Sequence, residues 1–180
     1  MKIILLFLLA ISLDANIKQD MFNLYQNSKY EKVCSMGFDN FNRNSKDEEF
    51  ISLYAFACLN SDYIDRLAIP IAMLKHSKES RSNSAYFSVI LMQKKLLYHA
   101  LQDNYDLSTL KLPTTDYILS KVFDLYSKLK KHEPRAFYLF EDENDKKLTY
   151  KLYLSKDAKL NKMVIEEFYD TITIKRHVYW

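Results

Sequence analysis

Hydrophobic residues recur every three or four positions along the first three quarters of the chain, and every second position along the last quarter. The longer spacing predicts six helices, five of them over 17–26, 30–42, 45–59, 62–76 and 84–102, and the sixth starting at Thr114 or Thr115. The shorter spacing predicts strands after Pro134, over 136–140, 148–154, 163–168 and 171–180. This order predicts an α+β fold, in which a stack of about six helices precedes a small antiparallel β-meander.

Three local features refine these elements. Ser45 and Glu48 have the spacing of a capping box at the start of the third helix. Pro70 falls inside the fourth predicted helix, where an interior proline is expected to kink the helix. In the last predicted strand, the alternation puts four apolar residues on one side, namely Ile172, Ile174, Val178 and Trp180.

A short polar motif occurs twice in the helical part. Asn27-Ser28-Lys29-Tyr30 returns as Asn60-Ser61-Asp62-Tyr63, 33 residues later, and an apolar periodic segment follows each copy. The motif does not return a third time, since Gln93-Lys94-Lys95-Leu96 stands at the next position. A period in the low thirties is typical of stacked helical hairpins, so a short array with a degenerate last member is predicted.

Residues 17–102 resemble the tetratricopeptide repeat family. The turn from Asn27 to Val33 is similar to the family's interhelical turn, Tyr63-Ile64-Asp65-Arg66-Leu67-Ala68-Ile69-Pro70 is similar to its second helix, and Ala55 and Ala57 supply small residues. The chain departs from the family in lacking the glycine of the first helix and the proline that ends each repeat. The resemblance implies a protein-binding scaffold with a concave groove for peptides or helices, of the kind found in bacterial envelope machines.

The first residues have the pattern of a secretory signal peptide. Lys2 precedes an apolar run over 3–11, and small residues follow that run, with cleavage expected after Ser12 or Ala15. The run is shorter than the roughly 20 residues of a membrane-spanning helix. We therefore expect a periplasmic chain with no stable membrane span in its mature form. The alternative is a buried N-terminal helix.

Two cysteines, Cys34 and Cys58, flank the predicted loop between the second and third helices at similar distances. This spacing would put them at equal height on two antiparallel helices. In an exported protein they are candidates for a disulfide. Two buried thiols that fill helix-packing positions are the other interpretation.

Composition and charge exclude several function classes. A hydrophobic content of 48% with a net charge of +3 is typical of a globular protein and does not favour nucleic acid as a partner. With one glycine, Gly37, the chain has no phosphate-binding loop and no dinucleotide fingerprint. The histidines stand far apart, without the spacing of metal ligands. We therefore expect no catalytic residues, no metal and no cofactor.

Aromatic residues are abundant, with 14 tyrosines, and tyrosine is enriched in the cores of protein interfaces. The candidate interaction face consists of Tyr86, Tyr98, Tyr150, Tyr153, Tyr179 and Trp180.

The sequence thus predicts four segments, which are a signal peptide (1–15), helical repeats (16–102), a linker with the sixth helix (103–133) and a β-module (134–180). We expect an exported, non-enzymatic scaffold or adaptor. It would bind one or more proteins of an envelope assembly such as a flagellar motor. The alternative is a periplasmic protein that binds a small ligand or a cell-wall fragment. The oligomeric state stays open.

Overall fold

The computed structural model describes residues 17–129, 132–156 and 159–180. The predicted signal peptide, residues 1–15, lies outside the described residues. In the described part, six α-helices precede a four-stranded antiparallel sheet, so the predicted α+β class is confirmed.

The helices follow the predicted order with shifted ends. They are α1 (17–26), α2 (Tyr30–Asp39), α3 (Glu48–Asn60), α4 (Ala68–Met73), α5 (Lys78–Asp103) and α6 (Ile118–Ser127). The fourth predicted helix begins instead as a 3-10 segment, Ile64–Leu67. Pro70 is the third residue of α4, so it lies in a first turn, where a backbone N–H has no intrahelical acceptor. The prediction of a proline inside a single long helix is therefore wrong.

The described chain divides into two compact units, which meet in sequence between Ala85 and Tyr86. The division falls inside α5, whereas the sequence prediction ended the helical repeats at residue 102. The first unit contains α1 to α4 and about two turns of α5. The second contains the rest of α5, α6 and the sheet.

In the first unit, α1, α3 and the start of α5 lie side by side and run in the same direction. Lys18 Nζ lies 2.9 Å from Asp47 Oδ2 at the beginning of α1 and α3, and Asn60 Nδ2 donates to the Tyr25 hydroxyl at their ends, at 2.9 Å. Asn83 Nδ2 donates to Ser52 Oγ at 3.2 Å and joins α5 to α3. Helix α2 connects α1 to α3, helix α4 connects α3 to α5, and both run in the opposite direction.

The two interhelical turns have the same hydrogen bonds but a longer period than the sequence motif. The Lys29 N–H donates to the Leu24 carbonyl at 3.0 Å, and the Tyr63 N–H donates to the Cys58 carbonyl at 2.9 Å. Equivalent residues are therefore 34 positions apart, one more than the spacing of the repeated motif. Asn60 is still helical, whereas Asn27 is in the turn. The third turn is absent, as predicted, because α5 continues through residues 93–96.

A disulfide joins α2 to α3. Cys34 Sγ and Cys58 Sγ are bonded, and both residues are fully buried. The predicted disulfide is confirmed, and the alternative of two free thiols is wrong. Arg66 Nη1 approaches Cys34 Sγ at 3.4 Å and extends this contact to the segment before α4.

The start of α3 is capped by a residue other than the predicted one. Asp47 Oδ1 accepts hydrogen bonds from the N–H groups of Glu49 and Phe50, at 3.0 and 3.1 Å. Ser45 Oγ donates instead to the Asn42 carbonyl, at 3.3 Å. The capping box is therefore wrong, because Asp47 is nearer to the free N–H groups of the first turn.

The second unit is built on a meander in the order β1-β2-β3-β4. Its strands are β1 (Tyr138–Glu141), β2 (Leu148–Ser155), β3 (Lys162–Tyr169) and β4 (Ile172–Tyr179). One face is buried, with side chains from all four strands, namely Tyr138, Phe140, Tyr150, Leu152, Met163, Ile165, His177 and Tyr179. Helix α6 covers this face, and the rings of Tyr126 and Tyr138 lie 5.0 Å apart.

The predicted side of β4 is wrong because the strand carries an irregularity. Glu167 pairs with Lys175, but the next residue of β3, Phe168, pairs with Thr173, so Ile174 is the extra residue. An extra residue reverses the alternation beyond it, and Ile172 therefore lies on the opposite face from Val178. Ile172 and Ile174 are exposed, and the buried residues of β4 are His177 and Tyr179.

Candidate binding groove

The first unit contains an open groove of about 940 Å³. It lies along the first turns of α1, α3 and α5, together with the loop that precedes α5. The residues that determine its chemistry are Lys18, Phe22, Asp47, Glu49, Leu53 and Glu79. Three parallel helices that begin at the same height place their first turns together, which explains the position of the groove.

One wall of the groove is apolar. Phe22 in α1 is 46% exposed although its neighbour Met21 is completely buried, and Leu53 in α3 is half-buried. An exposed aromatic ring beside an aliphatic side chain is a usual anchor for a binding partner.

Lys18 and Glu49 line the same groove one helical turn before Phe22 and Leu53. Lys18 Nζ donates to Asp47 Oδ2 and to Glu49 Oε2, each at 2.9 Å. These hydrogen bonds, first to Asp47 and then to Glu49, raise the pKa of Lys18. The pair with Asp47 ties the first turn of α1 to the cap of α3.

The loop before α5 is held by one carboxylate. Glu48 Oε1 accepts the N–H groups of Lys75 and His76, at 2.7 and 2.8 Å, and its Oε2 accepts the N–H of Ser77 at 3.0 Å. The bonds from His76 and Lys75 lower the pKa of Glu48 to about 2. Three backbone N–H groups bonded to one side chain tie the loop before α5 to the start of α3.

Two further hydrogen bonds hold the start of α5 and the loop before it. Ser77 Oγ accepts the Ser80 N–H at 3.0 Å and so caps the helix. Arg81 Nη1 donates to the His76 carbonyl at 2.7 Å, which fixes the loop from its other side.

The predicted interaction face does not exist as one exposed surface. Tyr150 and Tyr179 are 0% and 1% exposed, because α6 covers the face of the sheet on which they lie. Tyr150 donates to Asp142 Oδ2 at 2.5 Å, and burial raises the pKa of its hydroxyl. For these two tyrosines the prediction is wrong.

The remaining residues of that predicted face are spread over the second unit, with Tyr86 and Tyr98 on α5, Tyr153 on β2 and Trp180 directly after β4. Tyr86 donates to Asp116 at 2.8 Å, Tyr98 to the Asn161 carbonyl at 2.9 Å, and Tyr153 to Glu166 at 3.1 Å. All three are half-buried. Trp180 is half-exposed, and Lys162 Nζ lies 5.6 Å from the centre of its ring.

The repeated turn residues lie away from the groove. Asn27, Tyr30, Asn60 and Tyr63 are at the ends of α1 and α3, and the groove is at the beginnings of these helices. Sequence reasoning did not select Phe22, Leu53 or Glu79. One signal was present, since Phe22 is a large apolar residue beside the buried stripe of α1 and not in it.

Within residues 17–129, 132–156 and 159–180, no group of three or more histidine, cysteine or acidic residues is placed to hold a metal ion. No helix in this part of the chain has both the length and the apolar character to cross a membrane. Comparison with protein families, curated proteins and solved structures finds no match to this chain.

Proposed function

We propose that this protein is an exported, non-enzymatic adaptor that binds a segment of a partner protein in the groove of its first unit. The observation that carries the proposal is the groove of about 940 Å³, with the exposed ring of Phe22 on its wall. The partner would belong to an envelope assembly such as a flagellar motor, as the resemblance to tetratricopeptide repeats implies.

The disulfide supports a location outside the cytoplasm. Cys34 and Cys58 are bonded and buried, and structural disulfides persist mainly in oxidising compartments such as the periplasm. Together with the predicted signal peptide, this favours a periplasmic protein.

The chemistry of the groove supports binding and not catalysis. Asp47 caps α3, Glu48 holds the loop before α5, and Lys18 bridges Asp47 and Glu49. Each of these groups is engaged in shaping the groove. Groups of this kind give a preformed surface whose apolar wall is left for a partner.

Site-specific photo-cross-linking tests the proposal. A photoreactive amino acid at position 22 is expected to capture one protein partner in living cells, in a fixed ratio to the adaptor. The matched control is position 38, because Phe38 is 56% exposed and does not line the groove. The proposal is wrong if both positions capture the same proteins, or if position 22 yields only the uncross-linked chain.

A cavity in the second unit favours the alternative of a small-ligand or cell-wall-fragment binding protein. It has about 460 Å³, and Arg135, Lys156 and Asn104 line it together with Tyr138 and Tyr153. Two cations beside aromatic rings suit a ligand that bears a carboxylate. A rise in the unfolding temperature with muropeptides, which is lost in R135E and kept in F22A, would favour this function over the adaptor.

A further inference from the structure

We infer that the segment bound in the groove is basic, with a lysine or arginine next to a large apolar residue. This inference rests on the proposed function and names the chemistry of the partner.

The charges that line the groove are unequal. Four carboxylates, those of Asp47, Glu48, Glu49 and Glu79, face two lysines, Lys18 and Lys46. Lys18 is already shared between two of these carboxylates. The side chain of Glu49 stays 84% exposed in this arrangement, and Glu79 in the first turn of α5 is exposed. The groove therefore keeps a negative charge that a cationic side chain of the partner would neutralise.

The helix N-termini at the groove do not turn its preference for a cationic segment into one for an anionic segment. A helix N-terminus attracts anions through its free N–H groups. At α3 those of Glu49 and Phe50 are bonded to Asp47, and at α5 that of Ser80 is bonded to Ser77. At these two helix beginnings an acidic segment would therefore meet an exposed carboxylate beside N–H groups that are already bonded.

The apolar wall sets the second requirement. Phe22 and Leu53 line the same groove as Glu49 and Glu79, and Phe22 is nearly half-exposed. Burial of this ring by a partner side chain would supply affinity, and the charges would select the partner and speed the encounter. A segment with a cation and an apolar residue in succession satisfies both parts of the groove.

Binding of short labelled peptides tests the inference. Three peptides of equal length are used. Lys alternates with Leu in the first, Glu alternates with Leu in the second, and Lys alternates with Ser in the third. Fluorescence anisotropy with the purified, disulfide-bonded protein should show the tightest binding for the Lys and Leu peptide. Added salt should weaken that binding, because exposed ion pairs are screened.

Two matched pairs of variants assign the effect to the groove. E79K should weaken the Lys and Leu peptide about three- to fivefold, since an exposed ion pair contributes a fraction of a tenfold change. D39K makes the same charge change at an exposed residue outside the groove and should leave affinity within about twofold. F22A should weaken binding about fivefold or more, and F38A should not.

The possible failures separate the inference from the proposed function. If the Glu and Leu peptide binds as tightly as the Lys and Leu peptide, or if E79K and D39K act alike, the partner segment is not basic. If cross-linking from position 22 still captures a partner in that case, the adaptor function stands. If no peptide binds and position 22 captures nothing, both are wrong.

Discussion

Tyr54 fills the space that a side chain at Gly37 would need. A Cβ placed on Gly37 would lie 2.7 Å from Cβ of Tyr54 and 2.8 Å from its Cγ, well inside van der Waals contact. The contact lies one turn along α2 and α3 from the Cys34–Cys58 disulfide. The one glycine of the chain therefore permits close approach of two helices, and it is not used for a turn.

Gly37→Ala should destabilise the protein by about 1–2 kcal/mol. The gain in helix propensity is at most about 1 kcal/mol, and overpacking costs about 1–3 kcal/mol. The Cβ of Tyr54 cannot rotate away, because it is attached directly to the backbone of α3. Ser35→Ala, at an exposed position of α2, is the control and should be neutral or slightly stabilising. Denaturant unfolding measures both, and equal stabilities of G37A and the wild type would contradict the assigned role.

Removing the disulfide by C34A and C58A together should cost about 3.4 kcal/mol, the chain-entropy value for a loop closed across 24 residues. Guanidinium unfolding of the oxidised wild type and of the double variant measures the difference. Reduced wild type is the control and should resemble the variant. If the double variant is as stable as the oxidised protein, the disulfide does not stabilise the fold by lowering the conformational entropy of the unfolded chain.

The contribution of Glu48 should depend on pH. Its pKa is lowered from 4.5 to about 2 in the folded protein, so the carboxylate stabilises the fold fully above about pH 4.5. That stabilisation is lost as the pH falls through about 2. The difference in unfolding temperature between the wild type and E48Q should therefore be constant near neutral pH and shrink between pH 4.5 and 2. E79Q removes an exposed carboxylate and serves as the control. A difference that does not change with pH would contradict the role of the three N–H bonds.

Thr171→Gly should stabilise the second unit by about 0.5–1 kcal/mol. Asp170 and Thr171 join β3 to β4, and both have positive φ, 47° and 76°. A two-residue hairpin turn with positive φ at both positions favours glycine, and a β-branched residue is strained there. Thr173→Gly, in the extended part of β4, is the matched change and should be destabilising. Thermal unfolding distinguishes the two variants. A loss of stability in T171G would contradict the claim that Thr171 is strained in this turn.

The sequence predicted those features that depend on local period and on spacing. The change from helical to alternating pattern after Pro134 corresponds to the change from α6 to the sheet. The disulfide followed from two cysteines at similar distances from one interhelical loop. The first depends on the local period alone, and the second on the symmetry of a single helical hairpin, so neither requires knowledge of how separate hairpins pack.

The features that the sequence did not predict depend on distant contacts. Glu48 fits a capping box, but the loop at 75–77 bonds it instead, 27 to 29 residues away. Tyr150 and Tyr179 alternate as expected, yet alternation does not show which face of the sheet α6 covers. Ile174 is the extra residue of β4, and neither it nor its neighbours are glycine or proline, so the sequence gives no sign of the irregularity.

The groove could not be predicted for the same reason. Phe22, Leu53 and Glu79 come from three helices, and only the side-by-side arrangement of α1, α3 and α5 brings them to one cavity. The repeated motif indicated the hairpins but marked the opposite ends of the helices.

Helix α5 continues without interruption from Lys78 to Asp103, while the border between the two units falls at Ala85. Any truncation at that border would cut through the middle of a hydrogen-bonded helix and leave new ends on both fragments. A fragment for isolating the first unit should therefore end after Asp103, in the segment before α6. Limited proteolysis should likewise spare the border itself, because its peptide bonds lie inside the helix.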